Sequence, residues 1–142
     1  EHWQVLLANS KGPTPAGFVS ETHLNEIQNE LTSNTKHALL FTHHHPIPIQ
    51  GYLDKHMLEN GEALLSQLAQ FKKVKGLIHG HVHNEYSWLF NKFAVFATPA
   101  TSIQFEKNTS DWQQVDLGPA FRMIRLQQNG SLNTQVVWLN NA

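Results

Sequence analysis

Cysteine is absent from the 142 residues, which excludes disulfides, iron–sulfur clusters, thiolate zinc sites and cysteine nucleophiles together. Aspartate is nearly absent too, occurring only as Asp54, Asp111 and Asp116. Any bound metal must therefore use His, Asn, water, or the few Asp and the Glu residues. A surplus of either charge is missing: ten Lys and Arg stand against eleven Asp and Glu, for a net charge of -1. Phosphate neutralisation along a duplex needs a basic surplus, so a dedicated nucleic-acid binder is excluded. The short cluster Lys72, Lys73 and Lys75 reads as a solvated helix end, where cations complement the helix dipole. No apolar run approaches the roughly 18 residues that span a bilayer, so no membrane partner is expected. The opening Glu1-His2-Trp3 has neither an initiator Met nor a signal pattern. The expected location is cytoplasmic, where the sequons at Asn108 and Asn129 carry no glycan.

What the chain does have is histidine, ten in all, as many as Lys and Arg together, with 40% hydrophobic and 15% charged residues. That composition belongs to one globular domain over 1–142, neither disordered nor coiled coil nor collagen-like. The apolar run Trp3 to Ala8, closed by Asn9, Gly12 and Pro13, predicts a buried strand, and a chain that begins inside a strand suggests a partial domain. Ser20 is placed to cap a helix whose Leu24, Ile27 and Leu31 share one face. Ala38 to Thr42 predicts a second buried strand that stops at His43, His44, His45 and Pro46. Pro46, Pro48 and Gly51 predict a rigid loop. Leu64, Leu65, Leu68 and Phe71 then mark a second helix, and Val74 to Ile78 a third strand running into His79-Gly80-His81-Val82-His83. Beyond residue 84 the helical period vanishes. Two hairpins are predicted: Glu85 to Phe90 with Phe93 to Thr98, and Phe121 to Gln128 with Leu132 to Leu139 around an Asn129-Gly130 type I′ turn.

Six of the ten histidines thus lie in two short clusters, each at the end of a buried strand. In an extended chain residues two apart point to one side, so His81 and His83 can aim at a common point, while Gly80 clears space and permits positive φ. Neutral imidazoles suit Zn, Mn or Fe. Adjacent side chains diverge, so only one or two of His43, His44 and His45 can serve one ion. His79 sits deeper and reads as a packing or orienting group. His2, His23, His37 and His56 are scattered and read as ordinary surface or core histidines.

HHHP after a buried strand, then VKGLIHGHVHNEY, FATPATSIQF, PAFRMIRL and NGSLNTQVVWL, resemble the C-terminal half of bacterial 3′,5′-cyclic AMP phosphodiesterases of the calcineurin-like metallophosphoesterase superfamily. The likeness covers nearly the whole chain. It implies an α/β fold, half of a four-layer αββα sandwich: two αβ segments followed by antiparallel strands. It also implies metal ligation by His44, His81 and His83, with His45 orienting its neighbour or approaching substrate, and Thr98 to Phe105 packing near the site.

The superfamily's earlier blocks, Asp-x-His, Gly-Asp and Gly-Asn-His, occur nowhere in the chain. The resemblance therefore implies a fragment lacking the bridging Asp and the catalytic His. The parent would use two divalent or mixed-valence ions (Fe, Mn or Zn) to hydrolyse cyclic AMP to 5′-AMP. The isolated chain would hold at most one ion weakly, be inactive or nearly so, and dimerise or swap segments through exposed core. The open alternatives are another metallophosphoesterase, such as a glycerophosphodiesterase or nucleotide pyrophosphohydrolase, and a non-catalytic His-rich metal-binding fragment.

Overall fold

A computed structural model describes residues 1–139. Strands β1 (Trp3–Leu7), β2 (His37–Thr42) and β3 (Val74–His79) alternate with helices α1 (Glu21–Thr32) and α2 (Gly61–Ala69), and a 3₁₀ turn over Tyr52–His56 precedes α2. β4 (Tyr86–Phe90) and β5 (Phe93–Ala97) complete a five-stranded sheet ordered β1-β2-β3-β5-β4. β1, β2, β3 and β5 run parallel and β4 antiparallel at the edge. β6 (Gln104–Phe105) and β7 (Gln114–Val115) form a minimal ladder that the sequence pattern did not signal, and β8 (Ala120–Leu126) pairs with β9 (Leu132–Trp138).

The helices follow from their sequences. Ser20 caps α1, its Oγ accepting from the His23 amide at 3.2 Å, and Ile27 and Leu31 are buried at helical spacing. They and α2's Leu64, Leu65 and Leu68 share one core with Ala38, Leu40, Leu77 and Val95 of the sheet. Each of these leucines is almost fully buried, contributing roughly 1.5–3 kcal/mol.

β1 departs from the expectation of a buried strand: it is an edge strand, with Val5 51% and Leu7 74% exposed. The core helices cover one face only. On the other face the β8–β9 hairpin reaches β1 through the Trp3 indole, which donates to the Gln127 carbonyl at 2.6 Å, and reaches β5 through Arg122, which donates to the Ala97 carbonyl at 2.7 Å. Beside Arg122 an open cleft of about 290 Å³ is lined by half-buried Phe41 and Ile124 over buried Ile78. The hairpin turn also departs from type I′, which needs positive φ at both central residues. Only Gly130 has it, at 87°. Its amide bonds the Gln127 carbonyl at 3.0 Å, a type I turn followed by a left-handed glycine, so the loop is longer than the two residues expected.

Candidate metal centre

Parallel pairing sets Thr42 opposite His79, and His79 opposite Ala97. The residues that follow β2 and β3 therefore emerge side by side at the carboxyl edge of the sheet. There His43, His44 and His81 converge, offering ligand atoms that all lie within 4.8 Å of one another. Their ring centroids are 4.7 to 4.9 Å apart, and His81 Nδ1 lies 3.1 Å from His43 Nε2. The group holds three imidazoles and no carboxylate.

Local structure holds each ring. His44 Nδ1 is 2.9 Å from the hydroxyl of Ser10, which is 3% exposed. Gly17 presses against the other side of the His44 ring, where a Cβ would sit 2.4 Å from His44 Cγ. Only glycine permits that approach. His45 is fully buried. Its Nε2–H donates to Asp54 at 3.2 Å, and its ring stacks on that of His81 with centroids 5.5 Å apart. Asp54 also accepts the amides of Ile49 and Gly51, so the proline-rich loop closes over a His45–Asp54 pair. His79 packs on Trp88 and donates Nδ1–H to the Gly80 carbonyl at 3.0 Å, in keeping with a packing role.

The expected alternation of His81 and His83 along an extended strand is absent. Residues 81–84 form bends, and His81 and His83 themselves adopt positive φ, 68° and 46°, whereas Gly80 does not. A Cβ at Gly80 would meet His43 Nδ1 at an ordinary 3.8 Å, so that glycine is not demanded by space. His81 turns into the cluster. His83 turns toward the 98–105 segment, its Nδ1 donating to the Ile103 carbonyl at 2.8 Å and its ring lying flat on Phe105 at 4.2 Å. A carbonyl only accepts, so His83 carries its proton on Nδ1 and leaves the Nε2 lone pair free. Such an outer partner is the usual orienting device for a metal-bound histidine. Thr98 to Phe105 thus packs beside the site as expected.

The site also draws on residues that sequence reasoning did not single out. His43 was left undistinguished within the triplet, because the direction of each ring depends on the bend after β2. Ser10 and Asp54 carried no local signal, since each acts across a loop closure. The scattered histidines behave as ordinary ones: His23 bonds Glu26 at 2.8 Å on the surface of α1, and His37 packs against Trp3.

Electrostatics keep the rings neutral. Burial lowers the pKa of His43, with His83 adding repulsion. Burial and then His43 lower that of His44. Burial likewise lowers His45, partly offset by Asp54. His81 is pushed down to about 3, first by burial and then by His44, His43, His45 and His56, and His79 to about 4 by burial. Neutral imidazoles offer lone pairs, and His81 Nε2 is buried with no hydrogen-bond partner. A tetrahedral zinc with Zn–N near 2.0–2.1 Å holds its nitrogens roughly 3.3 Å apart, which small ring rotations reach from the present spacing. The residues fit a divalent cation.

The fold has a counterpart among solved structures. A zebrafish (Danio rerio) dimetal phosphatase superposes on 58% of this chain and 27% of its own, with a TM-score of 0.52 at 24% identity. No protein-family model matches the chain. Relatives with closer sequences sharpen the placement. A Pseudoalteromonas protein named "Probable cyclic nucleotide phosphodiesterase" is 50% identical over 141 residues, 97% of this chain and 54% of the relative. The Escherichia coli K12 protein named 3′,5′-cyclic adenosine monophosphate phosphodiesterase is 37% identical over 139 residues, 96% of this chain and 50% of the relative. The chain is thus similar in sequence to bacterial proteins named as cyclic nucleotide phosphodiesterases, and spans about half the length of the curated relatives it matches.

Proposed function

We propose that this chain provides the histidine-rich side of a two-metal centre that hydrolyses 3′,5′-cyclic AMP to 5′-AMP, the substrate class in its relatives' names. The observation that carries the reading is the convergence of His43, His44 and His81 at the ends of two parallel strands. His44 and His81 would hold one ion and His83 would face the other, with His43 available to the first. His45, braced by Asp54, backs His81. Divalent ions such as Fe, Mn or Zn, when bound, supply Lewis acidity at the phosphoryl oxygens and lower the pKa of water. The chain's own part is to present neutral nitrogens and fix their orientation.

Two divalent ions a few ångströms apart repel strongly, and neutral imidazoles do not offset their charge as carboxylates do. The three-His group contains no carboxylate, so the chain alone is expected to hold one ion and to be inactive or nearly so. Assay of the purified chain with Mn²⁺ on cyclic AMP and bis-p-nitrophenyl phosphate tests this. Turnover comparable to the Pseudoalteromonas relative would overturn it. The same three imidazoles favour a second reading for the isolated chain, a single-zinc binder without catalysis. Zinc affinity that survives replacement of His44 and His81 together removes both readings.

No helix among the described residues is long and apolar enough to cross a membrane. Exposed Val5 and Leu7 on the edge strand support self-association of the chain, which sedimentation measures directly; a monodisperse monomer counts against it.

A further inference from the structure

We infer that Ser10 is a positioning residue for His44. Its hydroxyl meets three groups of the histidine turn: the His43 amide at 3.3 Å, the His44 amide at 3.3 Å and His44 Nδ1 at 2.9 Å. Ser10 lies just past the end of β1, and its side chain reaches under the turn that follows β2, so one oxygen ties the backbone of that turn to the ring it carries. The ring is held from a second side by Gly17, and Gly17 belongs to the same 10–17 excursion, whose base closes through the Phe18 amide on the Ser10 carbonyl at 3.0 Å. With Nδ1 engaged by Ser10, the nitrogen left for His43 and His81 is Nε2.

A hydroxyl suits this post for a chemical reason. Its two lone pairs accept the His43 and His44 amides, so its O–H is the group left for Nδ1, which accepts it and leaves the ring proton on Nε2 in the metal-free chain. The Ile103 carbonyl, by contrast, serves only the Nδ1–H form of His83. Ser10 therefore holds the direction of the His44 ring; an ion at Nε2 would require the ring proton on Nδ1, and the hydroxyl would then accept it in place of one of the two amides. Removing the hydroxyl frees the ring and leaves two amides and a ring nitrogen short of a partner at a nearly closed position.

The test compares Ser10→Thr with Ser10→Val, which share a shape and differ in the hydroxyl, beside Ser10→Ala. In the metal-free chain, long-range ¹H–¹⁵N spectra of the His44 ring report its hydrogen bonding without reference to metal. We expect the Thr variant to keep the wild-type Nδ1 shift and the Val and Ala variants to lose it. Zinc titration should then show a loss of roughly 10–100-fold in affinity for Val and Ala, the range typical of outer-shell partners, with Thr close to wild type. Val matching Thr in both spectra and affinity overturns the assignment. The inference rests on the metal reading only in its zinc arm. Should wild type bind no zinc while the Val spectra change, the positioning role of Ser10 stands and the metal reading falls.

Discussion

Gly17→Ala is the sharpest probe of how the candidate centre is built. The glycine does not use the left-handed region reserved to residues without a side chain, so alanine is acceptable to the backbone and the perturbation is purely one of contact. The new Cβ would lie 2.4 Å from His44 Cγ, 2.6 Å from Cβ and 2.7 Å from Nδ1. Ordinary carbon contacts begin near 3.5 Å, so about 1 Å of separation must be found. On one side stands the peptide of Gly17, held by its amide on the Met57 carbonyl at 3.0 Å and by its carbonyl on the Glu59 amide at 2.8 Å. On the other is the His44 ring, held by Ser10. The ring is the softer of the two, and a shift of that size breaks its bond to the hydroxyl and turns it from the cluster. Overpacking of this kind costs roughly 1–3 kcal/mol, which for a chain of this length lowers Tm by about 3–10 °C. Thermal unfolding of the metal-free chain and zinc titration provide the two readouts. Gly51→Ala is the control: its Cβ would meet nothing closer than 3.5 Å, and both readouts should stay near wild type. A Gly17→Ala chain with unchanged Tm and zinc affinity would refute the argument that His44 is clamped.

Three further outcomes are expected. His43→Ala should weaken binding of the first zinc ion more than His83→Ala, because His43 is within the three-His group and His83 is turned to Ile103; calorimetry giving the reverse order would move the site toward His83. In the metal-free chain, His79 and His81 titrate at about 4 and about 3 when folded against about 6.5 when unfolded. The unfolded state therefore binds more protons between these values, so the stabilisation is full above about pH 6.5 and is lost as pH falls. His79 alone should approach a slope of about 1.4 kcal/mol per pH unit near pH 5, and urea midpoints that rise on acidification from pH 7 would contradict it. Asp54→Ala removes the acceptor of buried His45 and of two loop amides, an expected loss of roughly 1–3 kcal/mol measured by urea unfolding. The Asp54→Asn chain should retain part of it through its amide oxygen.

The legible part of the fold was its local periodicity. Leu24, Ile27 and Leu31 repeat at helical spacing after a capping Ser20, and α1 forms there. β2 and β3 are apolar runs buried on both faces, and they were found within a residue of their ends. β1 looked the same in sequence, yet it is half-exposed, because a run of Val and Leu records only that a strand is apolar and not whether a second layer covers it. The type I′ turn failed for a similar reason. Asn-Gly specifies a turn, but loop length and register, set by the pairing of Leu126 with Leu132, decide which one.

The sequence by itself determined the chemistry available here. No Cys, three Asp and ten His restrict a metal to imidazole nitrogen unless carboxylates come from outside the cluster, and two histidine groups at strand ends placed the site at the carboxyl edge of a parallel sheet. Which nitrogens meet was decided by tertiary structure alone. His43 joins the cluster and His83 faces Ile103 because positive φ at His81 and His83 cancels the alternation of an extended chain, and side-chain direction then follows the bend and not the spacing. Ser10, Gly17 and Asp54 enter for the same reason: they lie up to 34 residues from the rings they hold, and only the closing of β1 against β2, and of the 46–57 loop over His45, brings them there.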